Sequence, residues 1–192
     1  MAERRASFFA DEIKGVPLKD VVVLDESYAT TKMTRLRGRA ARGVRLVSHV
    51  PHGHWKLLTV IGAITAVGGV LASMTVDAAT DAEVFGAFVE QVLVPALRPG
   101  MVVVMDNLAA HKVAWVVASI EAAGCRVAFL PPYSPDYSPI EPMWSKVKQL
   151  LRTAGARTVA ELEDAVGEAL KAVTIEDCRG YFEHCGYTLH TK

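Results

Sequence analysis

Three carboxylates in this sequence stand where local patterns should hold them firmly. Asp25 follows the apolar run Val21 to Leu24, Asp106 follows the run Met101 to Met105, and Glu141 falls in the first turn of a helix predicted to begin near Ile140. Oxygen ligands carried by different elements to one edge of an open sheet are a means of holding divalent cations. Each acid also has an ordinary explanation by itself, since aspartate often caps a turn, and for Asp25 alone that explanation is the stronger. Metal chemistry therefore depends on whether the three elements converge.

The elements can be read from periodicity. Short continuous apolar runs such as Val21 to Leu24, Met101 to Met105 and Arg126 to Leu130 suit strands covered on both faces. Leu57 to Val76 carries no charge over nearly the length of a membrane span. Its Gly68-Gly69 pair, its β-branched residues and four hydroxyl side chains predict two strands joined by a tight turn instead. A helix is predicted over Ala82 to Leu97, begun by Thr80 or Asp81 and ended by Pro99-Gly100, and another from Ala109 to Ala123, stopped by Gly124. A proline-punctuated loop then leads to the Glu141 helix, which continues through Trp144, Val147 and Leu151. This order predicts an α/β fold with a mixed five-stranded sheet, three antiparallel strands first and parallel ones after them, flanked by helices. Residues 1–20 read as a short N-terminal helix or arm, and residues 153–192 as a helical tail packed on the same domain. Thr158 with Glu161 and Thr174 with Asp177 mark capping-box starts in that tail.

Composition narrows the class. With 192 residues, 51% hydrophobic and 22% charged, the chain can bury one substantial core. Equal counts of Lys+Arg and Asp+Glu, 21 each, hide an asymmetry. No acid occurs from Ser27 through Val76, while Lys32, Arg35, Arg37, Arg39, Arg42, Arg45 and Lys56 all fall there. Such a segment reads as an irregular, phosphate-tracking excursion, with at most one short strand near Val44 to Val50. His49, His52 and His54 lie within it, but no fourth ligand stands at a zinc-like spacing, so a surface role is expected. Three cysteines without a close pair argue against a disulfide framework and fit a reducing cytoplasm. The N-terminus has no signal-peptide pattern, and no membrane association is expected.

With the acids placed, three stretches carry a resemblance: VVVLDES around Asp25, VVVMDNLAAHK around Asp106 and LPPYSPDYSPIEPMWSKVK around Glu141. In that order, with 34 residues between the second and third acids, they resemble the DDE transposases of the mariner superfamily, in its bacterial insertion-sequence branch. The likeness runs from about Val21 to Leu151. It implies a ribonuclease-H-like catalytic domain over residues 21–152 and a catalytic, metal-binding triad of Asp25, Asp106 and Glu141. Two Mg2+ or Mn2+ ions in such a triad would promote DNA strand cleavage and strand transfer by in-line phosphoryl transfer. Glu26, Asn107 and His111 are expected beside the metals, the last two orienting water or phosphate, with a helix cap as the plainer reading of Asn107. DNA contacts are expected from Lys32, Arg35, Arg37, Arg39, Arg42 and Arg45, and from Lys146 and Lys148 on the Glu141 helix. Trp144 is expected in the core. Glu26 and Asp136 are rival ligands; a helix start should hold Glu141 more firmly than a loop holds Asp136.

Complete members of that group carry helix-turn-helix modules ahead of the catalytic domain, and about twenty residues precede the first strand here, fewer than such a module needs. The expectation is the catalytic subunit of a transposase acting on transposon ends and target DNA. It would work as a homodimer, with a separately encoded helix-turn-helix subunit, in a bacterial cytoplasm in association with the nucleoid. A catalytically silent DNA-binding or partner-binding remnant, and another nuclease of the ribonuclease-H fold, are the alternatives.

Overall fold

The fold is described from a computed structural model, over residues 7–77 and 80–187. Five strands form one sheet: β1 Val21–Thr30, β2 Leu57–Thr65, β3 Gly69–Val76, β4 Val102–Met105 and β5 Arg126–Phe129, in the order β3-β2-β1-β4-β5. β1, β2 and β3 pair antiparallel, whereas β4 and β5 join parallel to β1 and to each other. This is the mixed sheet that the order of elements predicts. The uncharged stretch becomes the β2–β3 hairpin, and among the described residues no helix is long and apolar enough to cross a membrane.

Alternation along β1 explains why its apolar run is continuous. Val21 and Val23 enter one core cluster, and Val22 and Leu24 enter the other. The first face is covered by α3 (Ile140–Ala154), α4 (Val159–Lys171) and α5 (Ile175–His184), through Met143, Trp144, Val147, Leu162, Val166 and Phe182. The second is covered by α1 (Ala82–Phe88) and α2 (Ala114–Ala122), through Phe85, Phe88, Val116 and Ile120. Both capping boxes form, with Thr158 and Thr174 accepting from the backbone N–H of Glu161 and Asp177.

Several boundaries differ from expectation. β1 runs on to Thr30, so Asp25 lies inside a strand rather than at its end. The reason is unequal pairing: β4 pairs with β1 only over Val21–Val23, while β2 pairs with it as far as Thr30. Asp25 therefore sits just beyond the last rung shared with β4, level with the end from which Asp106 emerges. The helix from Asp81 starts as predicted, the Asp81 carboxylate accepting from the N–H groups of Glu83 and Val84. It continues past α1 in a wider turn, Val89–Leu93, and a tight one, Val94–Ala96. The predicted helix from Ala109 is divided into a 3-10 turn, Ala109–Lys112, and α2, because Val113 between them is extended. Residues 44–50 form no strand, and Val44, Leu46, Val47 and Val50 are exposed. Residues 7–13 are helical, and the part of the predicted N-terminal arm over residues 1–6 lies outside the described residues.

Candidate active site

Asp25, Asp106 and Glu141 line a single cavity of about 450 Å3 at the carboxyl ends of β4 and β5. The strand β1, the exit of β4 and the first turn of α3 each bring one acid to it. Asp136, the rival to Glu141, does not line this cavity; it belongs to the short 3-10 turn Pro135–Tyr137 and lies close enough to Cys185 to help raise that thiol, behind burial as the main cause.

Asp25 is held from the α3 side. By the alternation of β1 it shares the face of Val21 and Val23, where the Trp144 indole Nε1 donates to its Oδ2 at 3.2 Å. Trp144 is 2% exposed, in the core as expected, but it also orients a carboxylate at the cavity. Burial pushes the Asp25 carboxyl up to about 7. The Glu26 N–H opposes that rise, and the negative charges of Glu26, Glu141 and Asp106 add to it. Directly across the antiparallel pair from Asp25 stands Gly62, and a Cβ there would meet Trp144 Cη2 at 2.9 Å. The ring is buried and cannot swing away cheaply. Gly62→Ala should therefore cost about 1–3 kcal/mol of stability by overpacking, read as a lowered urea midpoint, and weaken any activity that needs Asp25 in place. An unchanged midpoint would show that the indole moves freely.

Asp106 is held from the opposite face. Glu26, one residue on from Asp25, points to the α1/α2 side and meets His111 Nε2 at 2.7 Å, while His111 Nδ1 lies 2.6 Å from Asp106 Oδ1. The second approach is close enough for charge pairing but is not aligned as a hydrogen bond. Burial by itself would depress the His111 pKa; the two carboxylates outweigh it and raise the ring to about 9. For Asp106 burial acts upward, and His111, the Leu108 N–H and Lys112 together bring the carboxyl below its ordinary range. His111 is 0% exposed, with its ring 4.2 Å from that of Phe85. Its two ring nitrogens face Glu26 and Asp106, so it ties β1 to the exit of β4.

The loop before α3 is pinned from behind. Asn107 is not a helix cap; its side-chain amide donates to the Leu130 carbonyl, joining the exits of β4 and β5. Ser134 and Ser138 are buried, and the Tyr187 hydroxyl donates to the Tyr137 carbonyl at 3.0 Å. Phe9 packs its ring 5.1 Å from those of both Tyr137 and Tyr187. Both ends of the described chain thus brace the loop that delivers Glu141, a partnership that no local pattern announces.

The expected cations divide. Arg35 and Arg37 share a groove with Arg152 of α3, whereas Arg39, Arg42 and Arg45 are exposed along the excursion, as are His49, His52 and His54. Lys32 lies 3.3 Å from the Trp55 ring centre, and Lys148 4.9 Å from that of Tyr28. Lys146 departs from expectation. Its ammonium donates to the Ala172 carbonyl at 2.9 Å and to Asp177, which ties it to the start of α5.

The donor set suits a hard divalent cation: three carboxylates face one cavity, and their mutual repulsion contributes to the raised Asp25 carboxyl. Among the described residues, however, no three acidic, histidine or cysteine side chains stand within joint coordinating reach as they are placed. The donor chemistry and the shared cavity fit a metal, although the side chains as placed do not enclose one.

Comparison with known proteins bears on this arrangement. A family described as DDE superfamily endonuclease matches residues 20–163. Among solved structures, a pre-cleavage Mos1 transpososome is similar with a TM-score of 0.77 at 16% identity, covering 94% of this chain and 58% of that one. The Mos1 mariner paired end complex with Mn gives 0.78 at 16% identity, over 94% and 56%. The catalytic domain of Mos1 mariner transposase gives 0.70 at 14% identity, over 94% and 85%. The chain thus spans 58% of the length of the Mos1 chain in the transpososome and most of the separate catalytic domain, whose ribonuclease-H-like fold it shares. No curated protein matches the sequence.

Proposed function

The chain belongs to the DDE superfamily endonuclease family, and from that premise we propose that it is the catalytic subunit of a transposase, cutting and joining DNA strands by in-line phosphoryl transfer. The observation that carries the proposal is the convergence of Asp25, Asp106 and Glu141 on one cavity from three separate elements. Asp25, Asp106 and Glu141 would hold Mg2+ or Mn2+, two ions in our reading, which when bound supply Lewis-acid stabilisation of the attacking and leaving oxygens. The Mos1 structures with Mn and with Mg support that choice of ion.

The chain's own residues do the positioning. Trp144 orients Asp25, and His111 with Glu26 fixes Asp106 before substrate arrives. The acidic cavity repels a phosphodiester, so cations outside it must hold the strand. Arg35, Arg37 and Arg152, in one groove beside the helix that carries Glu141, suit that task. Replacing all three with alanine should reduce the slope of log binding constant against log salt by about 2–3 for DNA, measured by fluorescence anisotropy; an unchanged slope would remove them from the DNA track.

We extend the proposal to the bacterial insertion-sequence branch, to a homodimer that pairs two DNA ends, and to end recognition by a separately encoded helix-turn-helix subunit, working in the cytoplasm at the nucleoid. Residues 21–152 are assigned as the catalytic domain, with 1–20 as an arm and 153–192 as a tail. A cleavage and strand-transfer assay on labelled duplexes in Mg2+ or Mn2+, with and without such a subunit, tests the function. Joining of a 3′-hydroxyl to target DNA is expected. Binding without cleavage would make the chain a silent remnant, and cleavage confined to RNA hybrids or junctions would make it another nuclease.

A further inference from the structure

Tyr133 combines three properties that no other described residue combines. It is 86% exposed, it lines the cavity that holds Asp25, Asp106 and Glu141, and among the described residues it is the only non-glycine with positive φ, at 56°. The left-handed region is unfavourable for a bulky L residue and persists only where the surroundings enforce it. Here they do. Pro131 and Pro132 precede it, Ser134 after it is buried, and Tyr137 is locked to Phe9 and Tyr187. A tightly braced loop thus presents a large aromatic ring to solvent at the rim of a carboxylate cavity. Leu108, 52% exposed and adjoining the backbone contact to Asp106, lines the same cavity. An aromatic ring and an aliphatic side chain at the mouth of an acidic site offer apolar surface that neither phosphate nor metal uses. They suit a flat, uncharged group that enters together with the phosphodiester, and a nucleotide carries such a group on the sugar next to the phosphate being cut.

We propose that Tyr133 stacks on the nucleobase flanking the scissile phosphate, with Leu108 as a second apolar contact, so that the cavity reads strand position through a base rather than through the backbone alone. This rests on the reading of the chain as a DNA-cutting enzyme. Base–aromatic stacking tolerates any base, so the contact would set register without dictating sequence.

The test uses the whole chain with a tailed DNA duplex in Mn2+, on which the cut site is mapped first. Tyr133→Ala should lower cleavage by about 5- to 150-fold, equivalent to about 1–3 kcal/mol at 1.4 kcal/mol per tenfold, and Tyr133→Phe should stay near wild type. In Ca2+, the fluorescence of 2-aminopurine placed beside the mapped phosphate should be quenched by wild type and by Tyr133→Phe but not by Tyr133→Ala. An abasic site at that position should cost wild type the same factor and cost Tyr133→Ala nothing further. If wild type cleaves while Tyr133→Ala cleaves equally well, or if the quench survives in Tyr133→Ala, the stacking assignment is overturned and the enzyme reading stands. If wild type cleaves no nucleic acid, the enzyme reading itself fails and takes this inference with it.

Discussion

Asp25→Asn should abolish metal-dependent strand cleavage and, in the absence of metal at pH 8, make the protein more stable than wild type. The first effect follows from the proposed role: asparagine keeps the size of the side chain and an oxygen that can accept from Trp144, but loses the charge that would bind a cation. A fall of about 100- to 1,000-fold or more is the size that accompanies loss of one group stabilising transition-state charge. The second effect follows from burial, which pushes the Asp25 carboxyl from 3.8 to about 7. Between those values the folded chain holds a proton that the unfolded chain releases, so stability falls as pH rises through the window and stays low above it. Asparagine has no such proton to lose. The gain at pH 8 should be on the order of 1–4 kcal/mol, below the full value of a rise from 3.8 to about 7 because the cavity is open to water. Urea denaturation in EDTA at pH 8 and pH 4 reads it, with the difference between the proteins shrinking at the lower pH. Near-wild-type cleavage would remove Asp25 from the site, and a destabilised variant at pH 8 would show that the charged carboxylate serves the fold.

Opposite signs for activity and stability mark a residue whose environment is set by chemistry rather than packing, and this bears on what could be read in advance. The apolar runs announced β1, β4 and β5 because both faces of the sheet are covered, and a run of that kind needs no partner to be recognised. Asp25 and Asp106 were legible for the same reason, since a charge interrupting such a run marks where cover on both faces stops. The extent of β1 was not legible, because its second half is paired by β2 alone and carries Asp25, Glu26 and Ser27 in place of apolar residues. The orienting residues were hidden by distance along the chain. Trp144 looks like one more apolar position on α3, and only the fold brings its indole N–H to a strand 119 residues away. His111 stands close to Asp106 in sequence, but its burial comes from Phe85 and its second carboxylate from β1. Lys146 shows the converse: an exposed-looking cation on a helix became a strut once α5 packed beside it.

The metal-free protein should be most stable in mildly acidic buffer, and His111→Gln should remove one identifiable part of its pH dependence. His111 is raised from 6.5 to about 9, so its contribution is fully present below 6.5 and is lost as pH rises through about 9. Asp25 acts over the lower window, from 3.8 to about 7, and in the same direction. Asp106 opposes them at the acid end: its lowered carboxyl contributes stability above 3.8 that disappears as pH falls through its depressed value. A maximum near pH 4 follows, where the Asp106 contribution is still present and the Asp25 loss has only begun. His111→Gln abolishes the loss between 6.5 and 9 while retaining the earlier one, and it leaves Glu26 and Asp106 facing each other without a cation. Removing one partner from a buried charge cluster costs about 3–5 kcal/mol, and the lower end applies because Asp106 reaches the cavity. Thermal melts from pH 4 to 10 in EDTA would show it. Mn2+ at 100 times its dissociation constant at pH 8 should add about 2.7 kcal/mol to wild type there, and the same concentration should give a smaller thermal shift at pH 5 because Asp25 must give up its proton to bind. Equal shifts at both pH values, or a wild-type melting curve that is flat from pH 6.5 to 9, would dissociate the His111 and Asp25 carboxylate network from the proposed metal site.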